Sequence, residues 1–508
     1  MNLLNDILKY FLKKRISDIQ KFIDAPHETQ SGIFQSLVEK GKKTEWGLKY
    51  GYGSIRTYDD FKSRVPVSSY EELFPYIQRM LNGEQNILWP DTIKWFSKSS
   101  GTTNAKSKFI PVSTDALEEC HYKGGKDLLS LYFNNRPDSK LFTGKGLAIG
   151  GTYSKNPGFD NSFYGDVSAV IMANLPLWAQ YARTPSLEIA LMDEWEQKIE
   201  KIAQATIKEN VTNISGVPTW TIVLLERILA ITGKKNLMEV WPEFEAFFHG
   251  AVAFTPYKEI FKKFFPDEKV KYIETYNASE GFFGMQDRLG SDEMLLMLDY
   301  GIFYEFIPME DFESDNPKTL SLSEVELNKN YAMVISTNAG LWRYKIGDTV
   351  KFTSLSPYRI KISGRTKHFI NVFGEEVIVE NAETAISLAG QQTGAIITNF
   401  TAAPVYFSTG NKGGHEWIVE FSVAPTDMEL FTKTLDEELK KVNSDYEAKR
   451  YKDLALQPPI VHKVPEGTFY RWMKKRGKLG GQNKVPRLSN SREYVDDILK
   501  NLIVLGDN

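Results

Sequence analysis

One cysteine, Cys120, occurs in 508 residues. That excludes an intrachain disulfide framework and a cysteine-rich zinc site. No His/Asn pattern beside Cys120 marks it as a nucleophile, so it reads as a small buried apolar residue. No apolar run reaches the ~18 residues of a membrane-spanning helix. No N-terminal stretch has the basic, apolar, small-residue order of a signal peptide. A cytoplasmic protein is expected, with no membrane association and no obligate protein partner. Histidine is scarce too, with 6 residues, and neither a metal-binding HxxH cluster nor a Ser-His-Asp order is present. An excess of one charge is also missing: 62 Lys and Arg face 65 Asp and Glu, for a net charge of −3. This argues against a nucleic-acid-binding surface, although KKRGK at 474–478 is locally basic. Repeats and low-complexity tracts are absent.

What is present is an ordinary globular composition, 42% hydrophobic and 25% charged, in a chain long enough for two or three domains. Residues 3–23 carry apolar positions at helical spacing, a stripe of the kind globular proteins bury on their own core. Helices are also expected over 31–41, 58–79, 113–133 with Ser113 as cap, and 185–210. In the last of these the Glu194/Lys198 and Glu196/Glu200 pairs are expected on an exposed face. NISGVPTW reads as strand, turn and helix, the helix stopping at Gly233. FEAFFHGAVAF leads into a helix with Thr255 capping and Pro256 at its first position. KVKYIETYNASEG reads as strand into loop. Strands alternating with helices predict an α/β fold, a large N-terminal domain built on sheets flanked by helices. A boundary falls near SGRTKHFINVFGEEV, giving a domain of 1–364, a hinge of 365–378 and a smaller α+β domain of 379–508. The latter reads as helix 379–389, two strands, helix 427–442 and a basic tail.

Chemistry concentrates first in WFSKSSGTTNAKSKFIP, Trp95 to Pro111. Ser97, Ser99, Ser100, Thr102 and Thr103 surround Gly101, and Lys106 and Lys108 follow. Hydroxyl and backbone N–H donors around a glycine can converge on an anion, above all a phosphate. The GxxxxGK[ST] spacing of a Walker A loop is absent, and solvated Ser/Thr/Gly connections are equally common.

Two further stretches follow in order, ETYNASEGFFG from Glu274 and WRYKIGDTV from Trp342. SSGTT…KFIP, then YNASEG, then RYKIGD resembles the ATP signatures of the adenylate-forming superfamily. In detail the chain is similar to its auxin-responsive-promoter (Gretchen Hagen) branch, the acyl acid amido synthetases, in a bacterial-type form. The likeness extends from RVPVSSYEEL to NKVPRL. It implies a large N-terminal domain, a hinge and a mobile C-terminal lid. It also implies ATP and Mg²⁺, with a small carboxylic acid and an amino acid as substrates. Ser99, Ser100, Thr102 and Thr103 would bind the phosphates. Glu280 would be the Mg²⁺ ligand and, with Lys484, catalytic. Thr275, Tyr276, Asn277 and Ser279 would line the nucleotide, and Gly250 and Ala251 would offer backbone to the adenine. Asp348 would take the ribose hydroxyls, Arg365 would sit at the hinge, and Lys484 would reach the phosphates when the lid closes.

The residue types suit those roles. An ionised carboxylate only accepts hydrogen bonds and can take two hydroxyls, and Mg²⁺ prefers oxygen ligands and bridges phosphates. Blander readings stand beside them: a glutamate capping a helix, an aspartate shaping a Gly-Asp turn, a solvated tail lysine. An acyl pocket is expected around GVPTW, Gly216 to Trp220, and the helix HYKGGKDLLSLYF. His121 and His249 fall near it, but a lone histidine is more often structural. Activation of a carboxylate as its adenylate leaves the acceptor open: an amine gives an amide, a thiol such as coenzyme A gives a thioester. A binding-only regulatory protein would not need both metal and lid residues.

Overall fold

The computed structural model describes residues 3–506 except 100–107, 252–253, 255–256, 313, 315, 366–368, 371–374, 376, 406–412, 444–445, 448–449, 451–455, 480–483 and 490; for 3–13, 99, 177–178, 219, 365, 369 and 503–506 it describes the backbone alone. Two compact units are present. The first comprises Met1–Val252, Phe264–Ile346 and Val350–Lys361, the second Ala253–Lys263, Gly347–Thr349 and Ile362–Asn508. The architecture is the mixed α/β one expected, with large sheets in the N-terminal part and a small α/β region at the C-terminus.

An eleven-stranded sheet dominates. Its parallel part runs in the spatial order Lys271–Ala278, Ala246–Gly250, Val211–Gly216, Lys145–Ala148, Arg183–Thr184. Helices form the crossovers that parallel strands require. One is Trp195–Thr206, which Glu194 starts by accepting from the amides of Glu196 and Gln197. Another is Pro218–Thr232, with proline in the first turn and Gly233 ending it at φ 66°. At Lys271–Ala278 the sheet changes sense: Gly281–Met285 pairs with it antiparallel, and Met294–Leu296 and Tyr358–Arg365 follow in the same manner. A four-stranded sheet holds the hairpin of Trp95–Ser99 and Lys108–Val112, paired in register up to Ser99 opposite Lys108.

Several local expectations need correction. The 58–79 tract is two helices, Tyr58–Arg64 and Tyr70–Leu81, each closed by its own capping box at Thr57 and Ser69. The 185–210 tract likewise breaks into Leu187–Ala190 and Trp195–Thr206. Ser113 does cap its helix, accepting from the Ala116 amide, but Leu117–Tyr122 is a π-helical turn before Lys123–Asn135. A π-turn of this kind often marks a functional position. Thr255 and Pro256 lie outside the described residues. Ile19 and Phe22 of the first helix are buried, as an apolar stripe against the core requires. No helix among the described residues is long and apolar enough to cross a membrane.

In the second unit a three-stranded sheet, Ile396–Val405, Gly414–Val423 and Ile460–Val464, is covered on both faces. Trp417, Val419 and Phe421 alternate onto the side of Val379–Thr393 and Met428–Val442, where they meet Ile386, Phe431 and Leu435. Ile418 faces the other side with Phe469, Trp472, Val495 and Ile498. The tail is therefore not merely basic: it supplies the third strand and the helices Thr468–Lys475 and Glu493–Gly506. Arg476 pairs with Glu493 and Asp497 between those helices, while Phe469, Trp472, Val495 and Ile498 form their apolar side.

Candidate functional site

Parallel strands bring their carboxyl ends to one edge, and open α/β sheets habitually bind ligands in the crevice outside that edge. Here four strand ends lie side by side: Ala148, Gly216, Gly250 and Ala278. Each leads into glycine or small polar residues, Gly150–Gly151, Gly216–Val217, Gly250–Ala251 and Ser279–Glu280. The sequence places chemistry where the topology opens space.

Gly250 pairs with Thr275, and a Cβ on it would stand 2.4 Å from the Thr275 carbonyl oxygen. Only glycine permits that approach. Ala251 takes φ 73°, the left-handed region that non-glycine residues seldom adopt; backbone held this way recurs at ligand sites. The Thr275 hydroxyl donates to the His249 carbonyl at 3.1 Å and ties the two strand ends together. Ala278 pairs with Gly281, so Ser279 and Glu280 occupy a two-residue hairpin turn. Glu280 thus caps no helix; a strand follows it. Ser279 is buried and Glu280 half-buried. Tyr276 is buried with its ring 4.8 Å from Phe283.

Behind these ends lie two buried histidines. His121, from the π-helical turn, is hydrogen-bonded to Asn277, yet burial pulls it down to about 4. Burial likewise pulls His249 down to about 3. Both are neutral at pH 7 and belong to the wall of the site rather than to a metal centre. Cys120 beside them accepts from the Phe282 amide at 3.1 Å, and burial pushes its thiol up to about 12, as fits an inert packing residue.

No group of three or more His, Cys, Asp or Glu side chains among the described residues could hold a metal ion. A single half-buried carboxylate at Glu280 does not make a resident metal site. It does fit a Mg²⁺ that arrives with nucleotide phosphates, since that ion keeps waters and often takes one protein carboxylate.

The remaining expected site residues are placed as follows. Ser99 ends its strand with only its backbone described, and Ser100, Thr102 and Thr103 lie outside the described residues. Lys108, across from Ser99, is half-buried, its ammonium 3.5 Å from the Tyr344 hydroxyl and 5.4 Å from the centre of the Tyr70 ring. Asp348 is half-buried on the strand Tyr344–Leu355, directly after Gly347 at φ 88°. Arg365 ends the strand Tyr358–Arg365. Lys484 is half-buried and within electrostatic reach of Glu383, whose carboxyl burial pushes up to about 7 despite Arg487 at 3.6 Å. The first unit thus brings together Gly250, Ala251 and residues 275–280. Asp348, Arg365 and Lys484 group with the second unit.

One motif residue falls in the scaffold, and one position departs from the sequence reading. Arg343, inside the third motif, is a scaffold residue: its guanidinium donates to both Glu305 carboxylate oxygens at 2.8–3.1 Å and to the Val65 carbonyl at 2.6 Å, all buried. Lys198, expected on an exposed helix face, is 1% exposed. No sequence signal marked it, because a lysine at i+4 from a glutamate looks like a surface pair. The glutamate is instead occupied as the helix cap.

The chain matches known proteins over most of its length. Residues 15–270 match the GH3 family N-terminal domain, 295–365 its central domain and 380–493 its C-terminal domain. An indole-3-acetic acid-amido synthetase of Arabidopsis thaliana, GH3.3, is 24% identical, covering 90% of this chain and 88% of that protein. Among solved structures, the GH3.15 acyl acid amido synthetase superposes with a TM-score of 0.79 at 18% identity, covering 96% of each chain. A 2-hydroxyisobutyryl-CoA ligase in complex with 2-HIB-AMP gives 0.62 at 13% identity, covering 94% of this chain and 91% of that one. At such identities the structural likenesses establish the fold.

Proposed function

The chain belongs to the GH3 family, and on that premise we propose that it is an ATP-dependent acyl acid amido synthetase that adenylates a carboxylic acid and transfers the acyl group to an amino acid. The observation that carries this reading is the side-by-side placement of Gly250–Ala251 and Thr275–Glu280 at the carboxyl edge of the sheet.

A carboxylate is a poor electrophile, and the proposed chemistry answers that in two displacements. An oxygen of the acid attacks the α-phosphorus of ATP, and the bond to pyrophosphate breaks. The amine nitrogen then attacks the acyl carbon, AMP leaves with the bonding electrons, and the amine loses a proton to water. Catalysis of this kind rests on positioning and on neutralising charge. Bound with the nucleotide, Mg²⁺ would supply positive charge to the phosphates; Glu280 is the residue proposed to hold it. The backbone of Gly250 and Ala251 offers hydrogen-bonding groups to an adenine edge, and Tyr276 and Ser279 line the adjoining turn. Asp348 takes the ribose hydroxyls. Ser99, Ser100, Thr102 and Thr103 are proposed for the β- and γ-phosphates. Residues 379–508 are the proposed lid, 365–378 with Arg365 the hinge, and Lys484 the cation it delivers.

Pyrophosphate release from ATP and Mg²⁺ is the test, measured over a panel of carboxylic acids, each with and without amino acids or coenzyme A, with products identified by mass spectrometry. Acid-dependent release and an N-acyl amino acid are expected. An acyl-CoA product would replace the acceptor assignment, and the absence of acid-dependent release would remove the whole reading.

A further inference from the structure

Lys198 is buried, yet it forms no ion pair with a carboxylate among the described residues. Its ammonium donates instead to two main-chain carbonyls, Gly150 at 2.6 Å and Gly151 at 3.1 Å. It also lies 5.8 Å from the centre of the Trp195 ring. Placing a lysine there costs free energy, and two charge-assisted bonds to one turn are what offsets it. That turn is fixed from the other side as well. The Gly151 amide donates to the Ser168 hydroxyl at 2.9 Å, and the Thr152 amide donates to the Asp166 carboxylate at 2.8 Å. A Cβ at Gly151 would stand 2.1 Å from the Asp166 carboxylate, and one at Gly150 would stand 2.8 Å from the Met172 sulfur. A side chain at Gly151 would therefore collide with Asp166, and one at Gly150 would have to displace Met172.

The place of this turn matters. It follows the strand Lys145–Ala148, whose neighbours in order are Val211–Gly216, Ala246–Gly250 and Lys271–Ala278. If the nucleotide uses the last two strand ends, the first two remain for the other reactant. Their surroundings are aromatic: Trp195 and Trp220 meet edge-to-face at 4.9 Å, and both indole N–H groups are buried with no hydrogen-bond acceptor among the described residues. Buried donors without acceptors call for an explanation, and an oxygen-bearing acid provides one. Resting on the function proposed above, we infer that Lys198 is a positioning residue that sets the Gly150–Thr152 turn for the carboxylic acid substrate.

Burial pulls the Lys198 ammonium down to about 8; Asp166 and Asp193 are the charged groups facing it, and both act against that shift. Raising the pH through 8 removes the charge and weakens both bonds to the turn. Arginine in its place would keep its charge throughout.

Two measurements test the inference. The first is amide hydrogen exchange on the full chain, corrected for intrinsic rates, read on the peptide holding Gly151 and Thr152. Protection there should fall at least about tenfold in Lys198→Met and, in the wild type, decline between pH 7.5 and 9. Lys198→Arg should stay flat over that range. The second is kinetics with whichever acid of an aromatic and aliphatic monocarboxylate panel releases pyrophosphate fastest. KM for that acid should rise at least about tenfold in Lys198→Met while KM for ATP stays within about twofold, and the alkaline rise in the acid's KM should vanish in Lys198→Arg. Equal shifts in both KM values, or one alkaline limb shared by wild type and Lys198→Arg, would overturn the assignment. Should Lys198→Met fail to fold, the comparison of wild type with Lys198→Arg decides alone. Should no acid be turned over, the proposed activity fails; unchanged exchange in both variants would overturn the clamp itself.

Discussion

Both compact units hold a buried charge pair that is fully hydrogen-bonded, but the second also holds a buried carboxylate that is only loosely paired. In the first, burial holds His121 and His249 neutral, and the buried pair of Arg343 with Glu305 has its donors and acceptors satisfied. In the second, Asp436 is as well served, with Arg450 at 2.7 Å and Tyr446 at 2.8 Å, but Glu383 is left with Arg487 at 3.6 Å and keeps its proton to about 7. A fully satisfied buried charge marks scaffold. A loosely held one marks a place where a second charge can compete, and Lys484 is within its reach. That difference separates Arg343, a scaffold residue within the third motif, from the groups that remain available for chemistry.

The largest effect expected of breaking this contrast comes from Arg343→Met. It leaves Glu305 charged and buried with only the Tyr58 hydroxyl donating to it and should cost about 3–5 kcal/mol. Equilibrium denaturation in urea measures it; a loss below 1 kcal/mol would show that the pair is not scaffold. Glu280→Gln should do the reverse, lowering kcat/KM for ATP about 10²-fold, the scale of one lost charge-stabilising group. Its unfolding midpoint in urea should not move, and a shift as large as that of Arg343→Met would move Glu280 into the scaffold class. Gly250→Ala forces a methyl to within 2.4 Å of the Thr275 carbonyl and should cost about 1–3 kcal/mol, with activity falling alongside. Wild-type stability there would mean that the two strand ends can separate freely.

The pH response sharpens the contrast most finely. His121 and His249 have folded values near 4 and 3 against an ordinary 6.5, so the unfolded chain binds the extra protons. The first unit should lose stability as pH falls from 6.5 towards 4, and this contribution should be flat above 6.5. Glu383 has a folded value near 7 against an ordinary 4.5, so here the folded chain holds the extra proton. The second unit should lose stability as pH rises from 4.5 to 7 and level off beyond. Hydrogen exchange resolved by peptide tells the units apart; parallel pH trends in both would contradict the assignment.

Elements with a strong period were legible in the sequence. The helix Pro218–Thr232 and its stop at Gly233, Ser113 as a cap, and the helix Met428–Val442 with Asp427 accepting from two amides all follow from local rules. The breaks after Arg64 and after Ala190 were missed although local signals mark them: Pro66 and the Ser69–Glu72 capping box follow the first, and the Glu194 cap follows the second. Lys198 was misread for a different reason: four-residue spacing describes an isolated helix, whereas the carbonyls that claim the ammonium come from a turn 47 residues away.

By itself the sequence determined the class of fold and the order of the three motifs, because periodicity, caps and glycine turns act over a few residues. Which motif residues stand at a strand end, and which disappear into the scaffold, was decided only by tertiary structure. The change from parallel to antiparallel pairing at Lys271–Ala278 sets which strand ends share an edge. Pairing between strands far apart in the chain is not written in any short stretch of it.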